Sequence, residues 1–275
     1  HELNAFGRSY CWVAVDGDQV VGVRLFMQWE FIHHGHPVRA VRAVDTATHP
    51  DHQGRGIFTA LTLHGLEHVA ADGVGFVFNT PNDKSRPGYL KMGWNEVGRL
   101  SASVRFAGPG GVAAALRSRV PAELWSVPTT VGVPFEQWLE GHDHAWSNMD
   151  EARLGTNWND ARLRWRYSLP ELGYRVTEHR GTALIFRLRH RGAATELVAC
   201  DALGDRSPRS VDRAIGHAVR ACRASYGLRL GQSALHRGML PLPGEGPTLT
   251  WRGLAAAAHP PIGMWAVTMG DIELF

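Results

Sequence analysis

The stretch Thr48-His49-Pro50-Asp51-His52-Gln53-Gly54-Arg55-Gly56-Ile57-Phe58 constrains this chain more than any other. Before it, Val38 to Thr48 reads as a strand that sets Val38, Ala40, Arg42, Val44, Thr46 and Thr48 on one face. After it, Ile57, Phe58, Leu61, Gly65, Leu66 and Val69 recur at helical spacing until Asp72-Gly73 stops the pattern. A strand that enters a helix through Gly-x-Gly lacks Cβ atoms where a ligand would meet the backbone. The helix adds its unbonded first-turn N–H groups and the positive end of its dipole. Together these make an anion cradle, although a bare strand-to-helix turn gives the same pattern when it stands alone.

The neighbouring segments place this junction in an ordered series. Cys11 to Val15 and Val20 to Ile32 are rich in β-branched and aromatic residues and flank Asp16-Gly17-Asp18, a hairpin signal. The turn His33-His34-Gly35-His36-Pro37 leads into the third strand, and Val74 to Phe78 is a short apolar strand beyond the helix. Asn82 and Ser85 can cap a short helix around Tyr89, and Trp94 to Phe106 reads as one or two closing strands. Gly108-Pro109-Gly110-Gly111 breaks the composition, so the expected domains are 1–107 and 108–275, and 275 residues suffice for two cores. In the second half, helices are expected over Val112 to Arg119, Phe135 to Glu140 and Trp158 to Tyr167. Strands over Tyr174 to Glu178, Ala183 to Arg189 and Glu196 to Leu203 follow, then a helix from Arg209 to Ser225. Three strands followed by a helix in both halves point to a degenerate structural repeat.

Composition removes several function classes. With 44% hydrophobic and 20% charged residues the chain is globular, and charges or Gly/Pro interrupt every apolar run, so no membrane span is expected. A net charge of +3 without a basic stripe excludes a nucleic-acid partner from the expectations. Cys11, Cys200 and Cys222 share no metal-ligand spacing and suit a reducing cytoplasm. His64-Gly65-Leu66-Glu67-His68 matches an inverted zincin pattern, but both histidines fall on the polar side of their helix, so no metal is expected. His33, His34 and His36 read as a solvated turn, and Trp158, Trp165 and Tyr167 as core.

Gln53, Gly56 and Phe58 lie where the GCN5-related N-acetyltransferase (GNAT) superfamily carries Gln/Arg-x-x-Gly-x-Gly/Ala. Asn82-Asp83-Lys84-Ser85-Arg86-Pro87-Gly88-Tyr89-Leu90-Lys91-Met92-Gly93-Trp94 resembles the second family motif, Asn-x-x-Ala-x-x-x-Tyr-x-x-x-Gly-Phe. The resemblance covers about residues 10 to 107. It implies a mixed α/β fold, with a mostly antiparallel twisted sheet flanked by helices, followed by a degenerate GNAT-like second domain that shapes the acceptor pocket or is structural. It also implies acetyl-CoA as co-substrate and transfer to the primary amine of a small molecule within a ternary complex. Non-catalytic acyl-CoA binding is the rival reading; a protein amine or a longer acyl chain would be a variant of transfer. A homo-oligomer is compatible with either.

By the same resemblance, backbone N–H groups of Thr46, Ala47 and Thr48 hold pantetheine and the developing oxyanion. Those of Gly54, Arg55, Gly56, Ile57, Phe58 and Thr59 hold the pyrophosphate, with Gln53, Asn82, Lys84 and Ser85 completing the cofactor site. Tyr89 is the general acid, a phenol protonated at neutral pH; the alternative reading is a packed aromatic with its hydroxyl satisfied. For the base, Asp45, Glu30 and His49 are candidates. A further one is the terminal carboxylate of Phe275, as in the two-domain enhanced-intracellular-survival acetyltransferases that the chain is similar to. Three departures stand out: Phe58 replaces a small residue, Pro87-Gly88 falls within the second-motif helix so that this helix should begin late, and only ten residues precede the first hairpin. Family members begin with a strand and two helices there, so either the chain is truncated or its pocket wall is built differently.

Overall fold

Two short turns fold the N-terminal third into an antiparallel meander. The computed structural model describes residues 3–118, 120–142, 153–231, 238–242, 244, 246–255 and 259–272. β1 (Tyr10–Asp16) pairs with β2 (Gln19–His33) across Gly17-Asp18, and β2 pairs with β3 (His36–Thr48) across His34-Gly35. The chain then enters α1 (Ile57–Ala71) and returns as β4 (Phe76–Asn79), parallel to β3 over Ala40–Arg42 only. α2 (Arg86–Lys91) and β5 (Asn95–Arg99) follow. Beyond Arg42, β3 has no partner on its β4 side among the described residues, so the two parallel strands splay apart toward the glycine-rich loop.

Both faces of this sheet are covered, which is why the middle of β3 is buried from Ala40 to Val44 instead of alternating. On the α1 face, Phe26, Val41 and Ala43 pack with Leu66, Val69, Tyr89 and Trp94. On the other face, Trp29, Phe31, Phe76, Phe78 and Trp265 make edge and tilted aromatic contacts, and Trp29 Nε1 donates to Thr156 Oγ1 at 2.9 Å. The expected single face from Val38 to Thr48 is broken by a bulge. Leu25 faces Val44 and Arg24 faces Thr46, with Asp45 (φ +31°) as the extra residue, so Val44 and Thr46 point to opposite faces.

The second sheet repeats the plan. β6 (Ala102–Phe106) and α3 (Pro109–Arg117) come first, then β7 (Val133–Pro134), α4 (Phe135–Glu140), β8 (Gly155–Thr156), which pairs with β2 of the first sheet, and α5 (Asp160–Tyr167). β9 (Arg175–His179), β10 (Thr182–Arg191) and β11 (Ala194–Gly204) form a meander, α6 (Pro208–Ala221) follows, and β12 (Tyr226–Leu230) lies parallel to β11. β13 (Leu240–Leu242), β14 (Thr248–Gly253) and α7 (Met269–Ile272) complete the described elements. Ala214, Ile215, Ala218 and Val219 of α6 pack on Leu184, Phe186, Leu188 and Leu197, burying the apolar stripe that its periodicity marks.

The sheets exchange closing strands. β6, which follows β5 in the chain, pairs with β12, whereas β14, from late in the chain, inserts between β4 and β5. The compact units are therefore His1–Arg99 with Asp150–Asn157 and Pro247–Ala266, and Leu100–Met149 with Trp158–Gly246 and Val267–Phe275. This differs from the expected division at 107/108, because Ala102–Phe106 finds its backbone partners in the second sheet. The Gly-Pro-Gly-Gly stretch expected as a linker is instead the start of α3, with Pro109 opening the helix. Among the described residues no helix is long and apolar enough to cross a membrane.

Candidate active site

The loop between β3 and α1 carries the cradle. Gly54 and Gly56 have φ of +75° and +78°, and a Cβ built on either would have no atom within 4 Å. Both glycines are thus required by backbone conformation while facing open space. Ala60 is the first amide to bond back, to Gly56 O at 2.9 Å, so the amides of Ile57, Phe58 and Thr59 have no acceptor inside the helix, and the N-cap supplies no side chain. The equivalent junction in the second unit is filled from within. Ser207 caps α6 by accepting from Ser210 N, while Asp205 accepts from Ser207 N at 2.9 Å and Ser210 Oγ at 2.6 Å. The α6 junction is capped by its own side chains and the α1 junction is not.

The loop is pinned at its edges by exposed groups. Arg55 Nη1 lies 2.6 Å from His52 Nδ1, and both residues approach Asp16 at the end of β1, at 3.6 and 3.7 Å. Gln53 Nε2 donates to Thr48 O at 3.5 Å. His49 N–H bonds Val21 O at 2.9 Å, and strand alternation from there turns the Ala47 amide toward β2 and the amides of Thr46 and Thr48 toward the open edge of β3. Thr46 Oγ1 donates to Val23 O at 3.2 Å.

The second motif forms a turn and a short helix. Asn82 Oδ1 accepts from Lys84 N at 3.1 Å, from Ser85 N at 2.9 Å and from Ser85 Oγ at 3.1 Å, starting α2 one residue before Pro87. Arg86 approaches Asp83 and Glu96 at 3.4 and 3.6 Å. Phe58, the departure from the small third residue, turns inward: its ring meets Tyr89 edge-on at 5.5 Å, and a Cβ on Gly88 would lie 3.3 Å from it. Its amide is left at the helix start and its ring fills the core.

Tyr89 is 4% exposed and packed between Phe58 and Trp94. Its Oη accepts a hydrogen bond from Arg24 Nη1 at 2.9 Å. Arg24 escaped the sequence reading because an arginine in Val-Gly-Val-Arg-Leu-Phe looks like a solvated strand position. It is fully buried, on the face set by Phe26, with its guanidinium 4.6, 5.7 and 5.5 Å from the rings of Phe26, Phe58 and Tyr89. Burial lowers its pKa below the ordinary arginine value, and Tyr89 opposes that shift.

The base candidates are dispersed. Asp45 is exposed in the bulge, Glu30 Oε1 accepts from Asn157 Nδ2 at 2.7 Å, and His49 Nδ1 accepts from Asp51 N at 3.3 Å. Phe275 lies outside the described residues. His64 and His68 meet edge-on at 4.3 Å on the exposed side of α1, while Trp158 and Tyr167 are core residues and Trp165 is half-buried.

Residues 2–97 match the family model for the acetyltransferase (GNAT) domain. No curated protein matches the chain closely. Among solved structures, a GCN5-related N-acetyltransferase from Anabaena variabilis aligns with a TM-score of 0.60 at 11% identity, over 89% of this chain and 63% of that one. A probable N-acyltransferase from Enterococcus faecalis aligns at 0.60 and 12%, over 90% and 62%. Eis1 from Mycobacterium abscessus aligns at 0.54 and 17%, over 92% and 66%. The chain thus spans less than two thirds of the length of the proteins it is similar to. The likeness to the GNAT acetyltransferase domain thus rests on residues 2–97, and the fold shared with the solved structures extends over about nine tenths of the chain.

Proposed function

We propose that this chain is an N-acetyltransferase that passes the acetyl group of acetyl-CoA to the primary amine of a small molecule by direct attack in a ternary complex. The observation that carries this reading is the open cradle: two glycines in left-handed conformation, no side-chain cap, and three first-turn amides without helical acceptors. Acetyl-CoA supplies an acyl carbon activated as a thioester. The amides of Gly54 to Thr59 hold the pyrophosphate, with Gln53, Asn82, Lys84 and Ser85 around it. The splayed end of β3 holds the pantetheine arm and the carbonyl oxygen through Thr46, Ala47 and Thr48, with Thr46 and Thr48 offering the outward amides. Tyr89 gives its proton to the departing sulfur. The base is assigned to the carboxylate of Phe275 on the likeness to two-domain acetyltransferases.

The test is a calorimetric titration with acetyl-CoA followed by an amine panel scored for released thiol. One-site binding and turnover are expected, with Tyr89→Phe lowering kcat about 100-fold while the acetyl-CoA dissociation constant stays within a factor of about three. Absence of binding refutes the cradle. Binding without turnover, or an unaltered kcat in Tyr89→Phe, favours the second reading, an acyl-CoA-binding module in which Tyr89 is a packed core aromatic. The 4% exposure of Tyr89 is the observation on that side.

A further inference from the structure

A buried cation with no acid beside it needs a reason, and Arg24 is one. It is fully buried, Nη1 is spent on Tyr89 Oη, and Nε and Nη2 have no hydrogen-bond partner. Among the described residues no carboxylate pairs with it. Three aromatic faces offset only part of the cost of removing a guanidinium from water. Two other buried arginines have acids. Arg189 pairs with Glu196, and Arg229 Nη2 lies 2.9 Å from Asp212 Oδ1. Tyr89 complements Arg24 in one further respect. Its oxygen accepts from Arg24, and among the described residues its own O–H donates to no group, so its proton is uncommitted.

We propose that Arg24 is a positioning residue for acetyl transfer: it holds Tyr89 Oη through Nη1 and becomes the counter-ion of the phenolate formed when Tyr89 surrenders its proton. In that step the amine nitrogen bonds to the acyl carbon and the C–S bond breaks, its electron pair going to sulfur. The O–H bond of Tyr89 breaks, and sulfur takes the proton to leave as thiol. The phenolate regains a proton from the one lost by the amine, so no further reactant is needed. A phenolate in this apolar pocket would be costly alone, and so is the guanidinium; each offsets the other only while the proton is away. Buried charge waiting for the transition state is charge that need not reorganise.

This inference rests on the acetyl-transfer reading, and its test separates the two. Arg24→Met keeps the length and suits the aromatic pocket, and Arg24→Gln keeps an N–H for Oη without the charge. Both are expected to lower kcat at least tenfold, by no more than Tyr89→Phe does, with KM for acetyl-CoA within threefold. Arg24→Lys recovers part of the loss, and in a Tyr89→Phe background Arg24→Met costs less than twofold more, because the charge then has nothing to act on. If Arg24→Met does not fold, Arg24→Gln carries the comparison. The Tyr89 ring-carbon resonance beside Oη, assigned by its absence in Tyr89→Phe, is expected to move in Arg24→Met whether or not an acceptor amine is known. An unmoved resonance overturns the contact itself. Active wild-type protein with unchanged kcat in both Arg24→Met and Arg24→Gln, or equal losses from Arg24→Met with and without Tyr89, overturns the role of Arg24 alone. Wild-type protein that binds acetyl-CoA and acetylates no amine overturns the transfer reading and this proposal with it.

Discussion

Replacing Gly56 by alanine isolates the cradle from the stability of the fold, because the structure supplies its own control. Gly56 and Gly35 have nearly the same φ, +78° and +75°, and a Cβ at either would meet nothing within 4 Å. Forcing an L-residue into the left-handed region costs roughly 1–2 kcal/mol, so Gly56→Ala and Gly35→Ala should destabilise by similar amounts, with no steric term at either site. They differ in location: Gly35 lies in the β2–β3 turn, at the opposite end of β3 from the cradle. Only at Gly56 would the methyl group enter space that the pyrophosphate needs. A displaced phosphate oxygen that loses one charge-assisted amide bond forfeits about 1.5–3 kcal/mol, or roughly a 10- to 150-fold weaker dissociation constant. Calorimetric titration with acetyl-CoA and thermal melts of both variants make the comparison. Equal melting shifts with affinity lost only in Gly56→Ala fit the reasoning. Wild-type affinity in Gly56→Ala, or an equal affinity loss in Gly35→Ala, refutes it.

Two further outcomes concern the second unit. Asp201 is buried, and burial raises its pKa from 3.8 to about 6 against the opposing Arg206, whose Nη2 lies 3.3 Å from Oδ1. A folded-state value above the unfolded one means that its contribution to stability is complete below about pH 4 and is lost as pH rises through 6. At about 1.4 kcal/mol per unit this amounts to roughly 3 kcal/mol. Asp201→Asn should therefore gain on the wild type by up to that amount between pH 4 and 7 in denaturant melts, and a pH-independent difference between the two would contradict it. Gly111→Ala places a Cβ 2.2 Å from the backbone oxygen of Ser225, which cannot swing aside, so a loss of about 1–3 kcal/mol is expected in the same melts. An unchanged midpoint would show that α3 shifts freely on β12.

The parts of this molecule set by neighbours in sequence were open to reading. Asp16-Gly17-Asp18 and His34-Gly35 announce hairpins because few residues other than glycine accept their backbone angles. The 3.6-residue apolar spacing of α1 and α6 announces helices that bury one stripe. The cradle is local too, since its donors are consecutive amides and its shape is two glycines. Tertiary structure alone decided the rest. Ala102–Phe106 and Thr248–Gly253 each carry ordinary strand patterns, and nothing within either says that β6 closes the second sheet and β14 the first. Pairing partners are chosen by which edge is free once both meanders have formed, a competition between segments far apart in the chain. The bulge at Asp45 moves Thr46 to the face of Arg24, and the parity of a strand cannot be counted through an unseen extra residue. Arg24 itself reads as a charge on a strand, which in most chains faces water. Only the packing of Phe26, Phe58 and Tyr89 around it makes it a buried cation, because burial belongs to the assembled core and not to the residue.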